Sequence, residues 1–320
     1  MKKVIDDVRL MVKACDLYYN QSVSQQQIAA ELGISRPTVS RLLTQARDQG
    51  IVEIRISYLD SIRYWELERQ LEKDLGLKRV LIVDTFEDDD RQKDELGKMT
   101  ASFLKQVIHD DDVVGVSMGS TLARAVEHMD HPQAKNVTFV PLVGGTGLLR
   151  TELHSNTLAE KLSQIYGGSY IPMHAPARVT NKTLREELMK EDGVAAVLRR
   201  TRNLDVAVMG IGYPSSGSAL MATGYFSEKE IRGLKNREIA GDVCMQFFDI
   251  QGNSRPYRED NSVIGVDIQR LPKVPVSIGT AGGIEKLSAI RGAINGKYIN
   301  ILITDLSCAR ALAGEEDHTH

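Results

Sequence analysis

SQQQIAAELGISRPTVSRLLTQARDQG fills residues 24–50. Ser24 with Gln27 three residues later is a capping-box pattern, in which each side chain accepts the other residue's backbone N–H. It opens a helix whose inner face carries Ile28, Ala29 and Leu32. Gly33 stops this helix, because glycine enters the left-handed conformation without a side-chain clash. Ser35 caps the next helix, and Pro37 falls in its first turn, where a missing N–H costs nothing. Val39, Leu42, Leu43 and Ala46 give that helix a buried stripe. Ala29, Gly33 and Val39 have the spacing of a helix-turn-helix: the Ala lets two helices approach, the Gly turns the chain, and the Val fixes the crossing. The outer face carries Arg36, Thr38, Ser40, Arg41, Gln45 and Arg47, with no acid between 36 and 47. Arg and Gln make bidentate contacts to base edges, and Ser and Thr reach phosphates. Together with Ser35 and Pro37 at the helix start, these residues form a candidate reader of double-stranded operator DNA. The plain alternative is a helical hairpin with a solvated basic face; the caps, the turn glycine and the acid-free face agree on the DNA reading.

Around this stretch the N-terminal part is completed by two further elements. Ile5, Val8, Val12, Ala14, Cys15, Leu17 and Tyr18 suit an amphipathic helix over 5–20. Residues 51–56, IVEIRI, alternate and are β-branched, which predicts a short strand and a small wing. Residues 1–60 carry eight Lys/Arg and seven Asp/Glu. The basic charge is therefore concentrated on one helix, and tight binding calls for a homo-oligomer, a dimer or tetramer.

The chain has 320 residues, long enough for two domains. A net charge of −3 excludes a generally basic nucleic-acid coat. Acids interrupt the apolar residues of the first twenty positions, so no secretory leader is expected, and no apolar run is long enough to span a membrane. Cys15, Cys244 and Cys308 are odd in number and far apart, which argues against disulfides and zinc and fits a cytoplasmic location. No cofactor or metal is expected; the acidic run 87–90 reads as a solvated loop.

Residues 58–77 predict a connecting helix. Ile62, Trp65, Leu67, Leu71 and Leu75 share one face, and Glu66, Glu68, Arg69, Glu72 and Lys73 face solvent. Such a helix either pairs subunits or packs on its own domain. From residue 78 onward, short apolar runs at 80–83, 113–116, 137–140, 206–209, 263–266, 276–279 and 299–303 alternate with helical stretches. That pattern predicts an α/β class effector domain with an open, mostly parallel sheet. The expected organisation is a helix-turn-helix domain over 1–57, a linker helix over 58–77 and an effector and oligomerisation domain over 78–320. Ligands in such sheets bind outside the carboxyl ends of the strands. Here those ends carry Gly119-Ser120-Thr121, Gly144-Gly145, Gly210 to Gly212, and Gly282-Gly283 followed by Lys286. Glycines that let backbone N–H groups approach an anion, two helix starts and a lysine point to a small phosphorylated or polyhydroxylated ligand.

These segments together resemble the SorC-type sugar-binding transcriptional regulators, over nearly the whole chain. The resemblance is carried by 24–29, 34–43, 115–121, Gly241-Asp242-Val243-Cys244 and 296–305. It implies an N-terminal helix-turn-helix joined to an effector domain similar to sugar-phosphate isomerases, assembly into dimers and tetramers, and control of DNA binding by sugar phosphates. The effector site it implies is Gly119, Ser120, Thr121, Gly144, Gly145, His154, Asp242, Gly282, Gly283 and Lys286. Asp242 is expected on a helix ahead of Phe247-Phe248. Val143 departs from the pattern, because several relatives place a basic residue there.

The competing class is a sugar-phosphate isomerase-like enzyme carrying a DNA-binding head. Isomerisation needs a base and a partner acid within reach of the substrate. The loop 213–218, YPSSGS, offers neither carboxylate nor histidine, Asp242 has no evident acid partner, and no P-loop is present. A regulator without catalytic residues is the expectation.

Overall fold

The computed structural model describes residues 8–52, 63–130, 132–215, 217–257 and 262–315. The chain divides into two compact units, Met1–Arg63 and Tyr64–His320.

In the first unit α1 (Val8–Cys15) runs on through a wider helical turn, Asp16–Asn20, and is followed by α2 (Gln25–Leu32) and α3 (Arg36–Asp48). The capping box is formed: Gln27 N–H donates to Ser24 Oγ at 3.4 Å, and Ser24 N–H donates to Gln27 Oε1 at 3.2 Å. Gly33 ends α2 at φ 64. Ile28, Val39, Leu42, Leu43 and Ala46 close a small core with Met11, Ala14, Cys15 and Leu17. Val8 and Val12, expected on the inner face of the first helix, are exposed, and Met11 takes the buried position. Met11 is unbranched and flexible, and so fills the irregular gap against the other helices. Residues 1–7 and, after Val52, the strand expected over 51–56 lie outside the described residues.

The second unit begins with α4 (Trp65–Leu75), followed by β1 (Arg79–Val83), α5 (Asp89–Val107), β2 (Val113–Val116), α6 (Ser120–Glu127), β3 (Thr138–Pro141), α7 (Ser155–Tyr166), β4 (Ser169–Tyr170), α8 (Lys182–Leu188), α9 (Asp192–Arg200) and β5 (Val206–Gly210). Then come α10 (Ala219–Ala222), α11 (Glu228–Lys235), β6 (Ile239–Val243), β7 (Gln246–Asp249), β8 (Val276–Thr280), α12 (Leu287–Asn295), β9 (Ile301–Asp305) and α13 (Leu306–Ala313). Seven strands form one sheet in the order β1-β9-β8-β5-β2-β3-β4, and every pairing in it is parallel. Both faces are covered. On β5, Val206 and Val208 enter the core on one side, and Ala207 and Met209 enter the core on the other. This is why the strands read as continuous apolar runs.

Four expectations need correction. The run 263–266 is not a sheet strand. It makes single antiparallel bridges to Val143 and Arg178, and its N–H groups at Ile264 and Val266 donate to loop carbonyls of Ala177 and Leu142. A short buried apolar run has this composition whether it pairs in a sheet or fills a core. The acidic run 87–90 starts α5: Asp88 caps it by accepting Arg91 N–H at 2.7 Å, and Asp89 and Asp90 sit in the first turn, where the helix dipole favours negative charge. Asp242 lies on a strand, in the antiparallel hairpin β6–β7. That hairpin turns through Cys244 (φ 49) and Met245 (φ 61), both left-handed without the usual Asn or Gly, so its turn chemistry was invisible in the sequence. Finally, Glu68 and Glu72 of α4 face the sheet edge, while Trp65 is 38% exposed.

Candidate functional site

On α3, residues turn by about 100° each, so Arg36, Ser40, Thr44 and Arg47 fall within about 80° of one another. All four are exposed, as are Pro37 and Arg41 beside them. Ser35 Oγ accepts Thr38 N–H at 3.3 Å and lies 2.8 Å from Thr38 Oγ1, so both hydroxyls are engaged in capping. Thr38 and Gln45 are half-buried toward the side of the helix. Thr44, not picked out in the sequence, stands on the same exposed face, its hydroxyl donating to the Ser40 carbonyl at 3.1 Å. Helical geometry alone could have included it.

In the sheet, the order reverses direction between β2 and β5: from β2 the chain moves outward to β3, and from β5 it moves the other way to β8. A crevice opens where two neighbouring strands send their following segments apart. Here it is a cleft of about 540 Å³, walled by the ends of β2, β5 and β8 and by the hairpin tip. It brings together Gly119, Ser120, Thr121, Asp242 and Lys286. Helix α6 starts there with no side-chain cap, and the partial positive charge of a helix start favours an anion beside it. The Gly119 N–H itself donates to the Leu153 carbonyl at 3.1 Å.

Asp242 is 6% exposed, and its Oδ1 has no hydrogen-bond partner. Burial pushes its pKa up to about 7, against the hydrogen bond from Met245 N–H and the positive charge of Lys286. The backbone of Asp242 is clamped to Gly212 by two reciprocal hydrogen bonds of 2.9 and 3.0 Å. Gly212 is required there, because a Cβ would stand 2.2 Å from Asp242 Oδ1. Behind the aspartate, burial pushes the Cys244 thiol up to about 12, which makes it an inert wall rather than a nucleophile.

The remaining expected residues support the cleft without lining it. Gly144 packs against backbone, its absent Cβ only 2.5 Å from the Ala175 carbonyl oxygen, and Gly145 N–H donates to that oxygen at 2.8 Å. The ring of His154 donates from Nε2 to the Leu149 carbonyl at 2.7 Å and so fixes the loop that forms one rim. Gly282 and Gly283 are held by Asp305, whose Oδ2 accepts Gly283 N–H at 2.6 Å. That contact sets the turn from which Lys286 projects. Val143 is fully buried in the core and does not line the cleft. Lys93 of α5 and Arg150 also reach the cleft. Each has an acidic partner, Asp89 and Glu152, and neither cation was picked out in the sequence.

Known proteins resemble this chain along nearly its whole length. Residues 60–313 match the sugar-binding domain family Sugar-bind, and residues 10–67 match the Crp-like helix-turn-helix domain. The sorbitol operon regulator of Klebsiella pneumoniae is 34% identical over 312 residues, 96% of this chain and 98% of that protein. The chain belongs to the SorC-type sugar-binding transcriptional regulators. The deoxyribonucleoside regulator of Bacillus subtilis is likewise 34% identical, over 313 residues, 96% of this chain and 98% of that one. The crystal structure of the full-length sorbitol operon regulator SorC from Klebsiella pneumoniae superposes with a TM-score of 0.73 at 33% identity, covering 96% of this chain and 99% of that one. This SorC-type chain is therefore a DNA-binding regulator with a sugar-binding domain, and the enzyme reading falls away. Among the described residues, no helix is long and apolar enough to cross a membrane.

Proposed function

We propose that the chain is a cytoplasmic, homo-oligomeric regulator of a carbohydrate or nucleoside operon whose effector is a small sugar phosphate bound in the 540 Å³ cleft. The phosphate sits between the uncapped start of α6, with Ser120 and Thr121, and the ammonium of Lys286. The sugar hydroxyls donate to Asp242. The observation that carries this reading is the unpaired, buried Oδ1 of Asp242 in the same cleft as Lys286 and the α6 start. A buried acceptor without a donor costs free energy that a hydroxylated ligand recovers. Dimers or tetramers present paired α3 helices to operator half-sites, with Arg36, Arg41 and Arg47 on phosphates and bases. Effector binding alters operator affinity to the extent that it favours one arrangement of subunits over another.

The test is a thermal-shift panel of sugars and sugar phosphates on the full chain and on Lys286→Ala. A phosphorylated sugar at about a hundred times its dissociation constant adds roughly 2.7 kcal/mol. For a domain of this size that is a rise on the order of 5 °C. The rise disappears in Lys286→Ala while operator binding is kept. An equal rise in that variant removes Lys286 from the site.

A further inference from the structure

A second cavity, of about 270 Å³, lies beside β6–β7. Met245, at the strained hairpin tip, lines both cavities, and no other described residue does. The second cavity is therefore separate from the effector cleft. Its walls hold two cations, Arg185 and Lys182, and one carboxylate, Asp267. Arg185 of α8 is half-buried, and its Nε donates to the Val263 carbonyl at 2.6 Å. Among the described residues no carboxylate lies within ion-pair distance of it. Burial lowers its pKa, with Asp267 and Glu186 opposing that shift only through space. With Nε occupied, the two terminal nitrogens remain as a fork matched to a carboxylate or phosphate.

The surroundings are built as a site. Lys182, one turn earlier on α8, adds an ammonium at the wall, shared with Glu186 at 3.9 Å. Phe226, Phe247 and Ile268 supply an apolar floor, the two rings edge to face at 5.3 Å. Ser254 lines the cavity at 4% exposed, and its Oγ accepts from Gln269 Nε2 at 2.8 Å, which leaves the hydroxyl proton as a donor. A half-buried guanidinium with no carboxylate of the described residues in ion-pair range gains from a directly bound anion, and a concave apolar pocket with a few converging polar groups is how proteins hold small ligands.

We propose that this cavity is a second small-molecule site, which takes a small organic anion with its phosphate or carboxylate group on the Arg185 fork. The site does not depend on the effector assignment, since no effector residue lines it. The experiment is equilibrium dialysis of the full chain against radiolabelled inorganic phosphate and, in parallel, radiolabelled malonate. The Lys286→Ala background removes phosphate binding in the first cleft. In that background the protein retains about one equivalent of one of the two probes, and adding Arg185→Gln weakens its binding by about tenfold or more. Phosphate retention identifies the ligand class as a phosphate ester, and malonate retention as a carboxylate. Ser254→Ala weakens the same probe and serves as the test if Arg185→Gln does not fold. Neither probe bound in the Lys286→Ala background, or binding indifferent to both Arg185→Gln and Ser254→Ala, overturns the site. Failure of the effector reading has a different signature: phosphate binding in the parent chain unchanged by Lys286→Ala.

Discussion

At Asp242 the fold keeps a carboxyl group out of water with one oxygen unpaired, and burial raises its pKa to about 7. In the unfolded chain the same group ionises near pH 3.9. Between those values the folded protein holds a proton that the unfolded chain has lost. Its contribution to stability is thus complete below about pH 4, falls as pH rises and levels off above about pH 7. Asp242→Asn, which cannot ionise, should exceed the parent chain in stability at about pH 8 by about 1–3 kcal/mol, with the difference closing toward about pH 4. Urea midpoints across that range measure it. The same variant should lose its response to the proposed effector, so that stability and response move in opposite directions. Residues whose partners are a few positions away, such as Ser24, Gln27, Ser35 and Gly33, were legible in the sequence because their roles are set by the local backbone. The environment of Asp242 was not, since its burial comes from segments far along the chain, at Gly212 and Lys286.

Among the elements, α4 has an unexpected task. β1 stands at the edge of the sheet, where backbone N–H groups lack a neighbouring strand. Glu72 Oε1 accepts Val80 N–H at 3.1 Å, and Glu68 Oε1 accepts Ile82 N–H at 2.9 Å. Tyr64 Oη continues the series by donating to the Asp84 carboxylate. Helix positions four apart thus meet alternate residues along the strand, and Leu71, fully buried, locks the helix down. Such cover protects an edge from pairing with another chain. Glu68→Ala together with Glu72→Ala leaves two edge N–H groups without partners, which should lower stability by about 2 kcal/mol and raise the tendency to aggregate. Urea unfolding and light scattering read the two effects. Helical periodicity correctly put these glutamates on one face; it carried no information about what that face would meet. The hairpin β6–β7 was missed for a related reason: Cys244 and Met245 adopt left-handed conformations that cost about 1–2 kcal/mol each, and only the packing around them enforces that choice.

For the whole molecule, the proposed effector cleft is a consequence of strand order. β2, β5 and β8 are far apart in the chain and become neighbours because the sheet reverses direction between β2 and β5. The proposed DNA-reading surface needs no such assembly, being one side of one helix. Arg41→Ala, at an exposed position, should leave the fold and effector binding intact and weaken operator binding. If the arginine meets a phosphate, the salt dependence of binding also falls by about one counterion. Fluorescence anisotropy with labelled operator over a salt series measures both, and unchanged affinity would remove Arg41 from the reading face. The sequence by itself determined the helix-turn-helix, the parallel α/β class and the glycine-rich strand ends, because capping, turn and burial patterns act over a few residues. The tertiary structure alone decided which of those ends share a cleft, that Gly144, Gly145, His154, Gly282 and Gly283 brace it from outside, and that Asp242 is buried on a strand. Those outcomes depend on long-range packing and desolvation, which no local pattern encodes.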